Sequence, residues 1–420
     1  MAGLWHCQGV TDTRTAGAVR QGSLRELNLA VVLRRIANTA RPPSRAEIAA
    51  DTGLTRATVS AVVDDLIAGR LVTEADPAPR TGAGRPARGL LLGDTGPAGL
   101  GLEVNVDYLA ACVVDLTGAV RHHEVRRLDL RPLSPADALT ALVALARRAH
   151  AVADAAGLGL AGAALAVPGL VDSRGLVRLA PNLGWRDVDV PALLAGHPAL
   201  TVPVDGVPPL VVENEANLAA LGELHARPGG PESFLHVSGE IGIGAGIVLD
   251  GALFRGSRGW SGELGHVPVD PGGPTCRCGA RGCLETYAGQ EAVLAAAGLA
   301  GADLPADTAA HRLADLAGSG DPATLAALRS AGTALGVAVS GVVNLLDLDT
   351  VVLGGGYATL APWLCPPVLA ELDDRVLTSG WSPVTVRPAA LGAESAAVGG
   401  AGSVVRRIIA RPSGWLSRPG

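Results

Sequence analysis

Two glycine-turned stretches constrain the architecture more than anything else in the chain. Ala98 to Val114 runs through AACVVD, turns at Leu116-Thr117-Gly118 and resumes at Val120, and FLHVSGEIGIGAGIVLDG, beginning at Phe234, repeats the plan. Each is followed by alternating strand and helix patterns, so two related α/β lobes with a ligand-sized cleft between them are expected. At 420 residues and 48% hydrophobic content the chain exceeds one ordinary core. Aromatic residues make up only 3% and glycines number 56, so small side chains and close backbone approaches must fill that core.

Charge divides the chain. Residues 1 to 90 hold twelve Arg against eight acids, a net of +4, whereas the remainder has 22 Arg against 32 acids, a net of −10. There is no lysine, so every cationic side chain is arginine or histidine. A basic head on an acidic body points to nucleic acid as the partner of the head.

The head supports that reading locally. A helical pattern from Gln21 presents Leu24, Leu27, Val31 and Ile36 and stops before Arg41-Pro42-Pro43. Ser44-Arg45-Ala46-Glu47 opens a second helix as a capping box and ends by Gly53. A third helix after Leu54-Thr55 buries Val59, Val62, Val63 and Leu66, turning Ala57, Ser60, Ala61 and Asp64 outward with Arg56 at the edge. This is a helix-turn-helix, and the following apolar runs, separated by ADPAPRTGAGRPARG, read as a wing. Arg45, Thr55, Arg56, Ala57, Thr58 and Ser60, with Arg85 and Arg88 of the wing, are the expected contacts to double-stranded DNA.

In the body, Cys276, Cys278 and Cys283 lie within eight positions, and His266 stands ten residues before the first of them. Three thiolates and one imidazole match the donor set of a closed tetrahedral zinc site. LVVENEANLAALGE, from Leu210, reads as a strand turning into a helix, with Glu213, Asn214, Glu215 and Asn217 at the turn. The loop Ala180 to Trp185 offers Asn182 and an indole, a pairing suited to hydrogen bonding and stacking against a sugar. The first twenty residues lack a targeting pattern and are expected to be a disordered tail. The uncharged run Ser330 to Leu346 is too short and polar for a membrane span and is expected as a buried helix. With no disulfide pattern, a cytoplasmic protein is expected.

Together, GELGH at 262–266, CRCGARGCLE at 276–285, ENEAN at 213–217, PGLVD at 168–172 and GIGAGI at 242–247 resemble the ROK family, and the fused head resembles its winged-helix regulators. The resemblance implies a winged helix-turn-helix over residues 21–93, followed at 94–420 by an α/β, two-lobed, actin-like (ribonuclease H-like) sugar kinase fold. Its lobes are expected at about 98–205 plus the C-terminal segment, and at 206–390. It also implies zinc on His266, Cys276, Cys278 and Cys283, and a sugar or sugar phosphate held by Asn182, Asn214, Glu215, Glu263, His266 and Glu285.

The chain departs from the family's kinases where phosphate chemistry resides. Those enzymes carry Asp as general base where Glu215 stands, and open the first hairpin with D-x-G-x-T where this chain has Glu103-Val104-Asn105-Val106-Asp107. The second hairpin's G-T-G-x-G-G-G becomes Glu240 to Gly246 without the threonine. No catalytic residue and no ATP are therefore expected, and the reading is a sugar-responsive repressor acting as a homodimer or homotetramer. The alternatives are a sugar kinase with a DNA-binding head, and a body that docks a protein partner.

Overall fold

A computed structural model describes residues 21–39, 41–75, 88–197, 200, 209–226, 231–301, 304, 306–392 and 394–417. The tail at 1–20 and Arg85 lie outside these residues. The head comprises helices α1 (Gln21–Ala37), α2 (Arg45–Thr52) and α3 (Arg56–Ala68) and an antiparallel pair, β1 (Val72–Glu74) and β2 (Leu90–Leu92). Ser44 Oγ accepts from the Glu47 amide at 3.3 Å and Glu47 Oε2 from the Ser44 amide at 2.7 Å, so the capping box forms. Gly53 closes α2 in the left-handed conformation, φ 71°, which glycine adopts without steric cost. On α1, however, the buried face is Leu29, Val32, Leu33 and Ile36, while Leu24, Leu27 and Val31 are exposed. Apolar residues occupy both sides of this helix, so three-and-four spacing alone fits either face, and packing against α3 and the body selects the second.

The first sheet has strand order β10-β6-β3-β4-β5, built from β3 (Pro97–Val104), β4 (Tyr108–Asp115), β5 (Val120–Arg127), β6 (Gly159–Val167) and β10 (Leu210–Asn214). Helix α4 (Pro135–Ala155) links β5 to β6, and a small antiparallel sheet, β7 (Leu170–Val171), β8 (Leu176–Ala180) and β9 (Trp185–Asp189), precedes α5 (Val190–Leu194). Helix α6 (Glu215–Ala226) follows β10. The second sheet, β13-β12-β11-β14-β15, places β11 (Phe234–Gly239), β12 (Ile243–Leu249), β13 (Ala252–Leu253), β14 (Thr350–Gly355) and β15 (Thr385–Pro388) in the same spatial succession. The internal repeat read from the two hairpins is thus a repeat of whole sheets. Because β10 pairs in parallel with β6, the crossover between lobes follows α6, beyond the expected boundary at 206. A parallel strand must join the sheet whose register it extends, which the apolar run LVV could not disclose.

The second lobe carries α7 (Glu285–Ala288), α8 (Gln290–Ala296), α9 (Ala306–Gly318), α10 (Pro322–Leu346) and α11 (Gly356–Arg375), and the chain continues into α12 (Ser395–Ala410) and α13 (Ser413–Leu416). Helix α10 is long and apolar enough to cross a membrane, yet 61% of its apolar window is buried in the lobe, as expected of a core helix. Helix α12 lies against β3, β6 and α6. Glycines permit this approach: a Cβ on Gly101 would sit 1.8 Å from the Ala397 carbonyl, and one on Gly99 2.1 Å from that of Ala401. The far half of α12 meets the head, where Val404, Val405 and Ile408 join one hydrophobic cluster with Leu29, Leu33 and Val72. Trp415 Nε1 donates to the Gly69 carbonyl at 2.9 Å, fixing α13 to the end of α3.

Gly101→Ala is expected to lower stability by about 1–3 kcal/mol or more through overpacking, read as a lower denaturant midpoint. Gly341→Ala on α10, where a Cβ would meet nothing within 4 Å, should be neutral or stabilising by up to about 1 kcal/mol.

Candidate functional site

The C-terminal end of β10 and the turns of the two principal hairpins meet at the cleft. Asn214 Nδ2 donates to the Gly169 carbonyl at 2.9 Å, tying the PGLVD turn to the start of α6. Glu215, the first residue of α6, accepts from Ser238 Oγ of β11 at 3.3 Å, a bond from one lobe to the other. Glu285 Oε2 accepts from the Ile243 amide at 3.3 Å. A Cβ on Gly242 would lie 2.7 Å from that oxygen and 3.6 Å from Asn182 Nδ2. A side chain at 242 would push the Glu285 carboxylate aside, where it now faces Asn182 from the opposite lobe. Glu263 stays solvent-accessible. The protein packed around it raises its carboxyl above the ordinary range by partial desolvation; His266 opposes the shift and Glu285 adds to it.

His266, Cys276, Cys278 and Cys283 bring their donor atoms within 4.8 Å of one another. His266 Nδ1 is 3.9 Å from Cys276 Sγ, and Cys278 Sγ is 3.7 Å from Cys283 Sγ. These spacings match the ~3.8 Å edge of a tetrahedron with metal–sulfur bonds of about 2.3 Å. The four side chains fit a metal ion. Gly282 turns at φ 65°, and a Cβ there would stand 1.6 Å from the Asp270 carbonyl, so glycine is required immediately before Cys283. Cys283 leads through Leu284 into Glu285, and His266 ends the short turn that begins after Glu263. A metal held by these four side chains would brace the two carboxylates, Glu263 and Glu285, at once.

The expected phosphate end of the cleft is rebuilt. Tyr108 OH donates to Glu103 Oε1 at 2.6 Å, and Asn105 Nδ2 donates to Tyr108 OH at 3.0 Å and, across the lobes, to Glu240 Oε2 at 2.6 Å. Glu103 is fully buried, and burial together with the charge of Glu240 pushes its carboxyl up to about 8. Charge at 103 is thus disfavoured, because a carboxylate there is desolvated beside another acid. Glu215 is likewise pushed up to about 8, by burial and by the charge of Glu103. The adjoining cavity of about 550 Å³ is lined by Glu240, Asp107 and Glu394, by Arg127 and His311, and by the glycines that start α11.

Two further expectations change. Trp185 is 2% exposed and packs in the first lobe's core, so the indole beside Asn182 is not a stacking platform; β9 begins at that residue and turns it inward. In the head, Thr55, Arg56 and Ala57 are exposed, and Thr58 and Ser60 half-buried, on the outer side of α3. Arg45 instead pairs with Asp64 at 2.9 Å and Glu74 at 3.4 Å, and Arg88 with Glu74 at 2.6 Å, so both serve the head's own packing before any DNA contact. Ser238 and Tyr108, which tie Glu215 and Glu103 in place, are residues the sequence reading missed. Tyr108 could have been found, since it lies three positions after Asn105 across a hairpin turn, whereas Ser238 has no local signal.

A body of two like-ordered α/β sheets, with amides and carboxylates converging on the cleft, is of the sugar kinase type. Residues 99–407 match the ROK family pattern, and the chain belongs to that family. A xylose repressor of Bacillus spizizenii is 29% identical over 393 residues, covering 93% of this chain and 97% of its own length. A glucokinase of Thermotoga maritima is 32% identical over 260 residues, 58% of this chain and 78% of its own. Among solved structures, a ROK family transcriptional regulator described as a homolog of the E. coli MLC protein has a TM-score of 0.75 at 22% identity, covering 94% of this chain and 100% of that one. A ROK family glucokinase from Streptomyces griseus, in complex with glucose and AMPPNP, has a TM-score of 0.61 at 26% identity, covering 73% of this chain and 98% of that one.

Glu103 binds its proton more tightly folded than unfolded. Its contribution to stability is therefore complete below about 4.5 and is lost as pH rises towards about 8. Glu103→Gln should gain in melting temperature relative to the native protein across that window; a difference constant with pH would contradict the assignment.

Proposed function

We propose that this protein is a sugar-responsive transcriptional repressor whose body binds a neutral sugar at a zinc-braced cleft and whose winged head binds operator DNA. The observation that carries the reading is the rebuilt phosphate end of the cleft beside an intact set of sugar-facing groups. Glu103, Asn105, Tyr108 and Glu240 bond to one another where a kinase needs open backbone for a polyphosphate. The relatives that span nearly the whole chain are named xylose repressors, and pentoses head the ligands to test.

In this reading Asn182, Asn214, Glu215, Glu263, His266 and Glu285 meet the sugar hydroxyls. His266 turns Nδ1 to the metal and keeps Nε2 for the ligand. Zinc suits the donor set, since three thiolates and an imidazole are soft to borderline ligands in a closed site. Sugar bridging the lobes favours one closure state over another. Helix α12, which runs from the cleft network to α1, passes the change to the head. Thr55, Arg56, Ala57, Thr58 and Ser60 then carry the DNA contact as a homodimer or homotetramer in the cytoplasm.

Xylose and glucose titrated into a complex of the full chain with its operator should release DNA. Glu263→Gln should weaken that response by about tenfold to a hundredfold, the worth of a charge-assisted hydrogen bond. Metal analysis should find about one zinc per chain, and Cys278→Ser should lose both the metal and the response. ATP-dependent phosphorylation of either sugar that Glu215→Gln abolishes would instead establish a kinase with a DNA-binding head.

A further inference from the structure

The cleft does not account for one concentration of positive charge in the body. A cavity of about 730 Å³ opens along the outer edge of β10, between the loop at 255–259 and the C-terminal half of α12, and none of the six sugar-facing residues lines it. Five arginines do: Arg255, Arg258, Arg406, Arg407 and Arg411, against two carboxylates, Asp172 and Glu213. This lies in a body whose net charge is −10.

Both carboxylates are already committed. Glu213 Oε2 accepts from Arg255 Nε at 2.8 Å, and Asp172 accepts the Arg174 and Leu176 amides at 2.9 and 3.1 Å and pairs with Arg178 at 3.4 Å. Among the described residues, Arg258, Arg406, Arg407 and Arg411 pair with no carboxylate. Arg406 and Arg407 are half-buried, yet their partners are neutral: Arg406 meets His225 and the Gly251 carbonyl, and Arg407 the Ser403 carbonyl and hydroxyl at 3.3 Å. Burial holds both guanidinium groups below their ordinary pKa, and the charge of Arg255 acts in the same direction on Arg407. The carbonyl end of α12 favours cations near Arg407 and Arg411, but that effect fades within one turn and does not reach the two loop arginines. Desolvated, mutually repelling guanidinium groups around a cavity of metabolite size are what an anion would stabilise.

We propose that this cavity is a second ligand site, for a small phosphoryl-bearing metabolite, separate from the sugar cleft. Guanidinium forks match phosphoryl oxygens in bidentate geometry. The site is also wired to the first. Glu213 Oε1 accepts from the Asn214 amide and from Asn217 Nδ2, both at 3.0 Å, so an anion drawing Arg255 away from Glu213 disturbs the turn that presents Asn214 and Glu215 to the sugar. Occupancy of the two sites is therefore energetically coupled, and the coupling is reciprocal. Its consequence for DNA rests on the repressor reading; the binding itself does not.

The test is calorimetric titration of the full chain carrying Glu263→Gln, which silences a sugar-facing carboxylate, with glucose 6-phosphate, inorganic phosphate and glucose. Both phosphoryl probes should bind, glucose should bind about tenfold to a hundredfold more weakly than it does to the native chain, and adding Arg407→Gln or the exposed Arg411→Gln should weaken phosphoryl binding by roughly tenfold or more. Tighter binding of glucose 6-phosphate than of inorganic phosphate would assign the site to a phosphorylated sugar, and equal binding to free phosphate; either keeps the site. Phosphoryl probes that fail to bind, or bind equally well after both arginine substitutions, would overturn it. Failure of xylose and glucose to bind the native chain would count against the cleft reading alone, since glucose 6-phosphate would still bind the arginine cavity.

Discussion

The contact of α12 with the first sheet and with α6 is the constraint on which the rest of the molecule depends. Gly99 and Gly101 on β3, and Gly399 against the Leu218 carbonyl of α6, remove every side chain that would hold these elements at ordinary separation. Interiors packed at this density have few continuous deformations available, so a shift imposed at one end of such a helix is transmitted rather than absorbed. One end of α12 lies beside the Glu103 network, and its other half shares a core with α1. Small residues thus give the body both its stability and its means of reaching the head.

The metal loop solves a different problem. The cleft carboxylates Glu263 and Glu285 are 22 positions apart in a segment with little regular structure, and a loop of that composition holds its side chains poorly by itself. Four donors spaced for a tetrahedral ion fix both ends of the segment to one point. Tyr357 adds support from the other side: its ring fills the space above Gly239, and its hydroxyl donates to the Ala288 carbonyl at 2.8 Å, at the end of the short helix that Glu285 begins. Ring and glycine each restrict this face, and a metal on the four donors would restrict it further.

Much of this was legible in the residues. The paired hairpins, the capping box at Ser44, the apolar face of α3 and the four metal donors each rest on local spacing, which short-range geometry enforces. Where the reading failed, the deciding contacts were distant in sequence. Which side of α1 is buried depends on α12, more than 360 residues away, and the sheet that β10 joins depends on pairing with β6. Trp185 is core because a three-stranded sheet turns it inward. The charge state of Glu103 depends on Tyr108 and on a glutamate from the other lobe, a juxtaposition that exists only after folding.

The attachment of α13 to the head bears on how such a protein can be recombined. Trp415 and Leu416 close over Gly69, and Ser413 Oγ donates to Glu26 at 3.2 Å, so the last helix of the body is also a wall of the DNA-binding module. Cutting at residue 93 would strip that wall and lay bare the apolar side of α1. A chimera that exchanges heads between two regulators of this architecture must therefore carry both α1 and α13, two segments from far apart in the chain, as one inseparable graft.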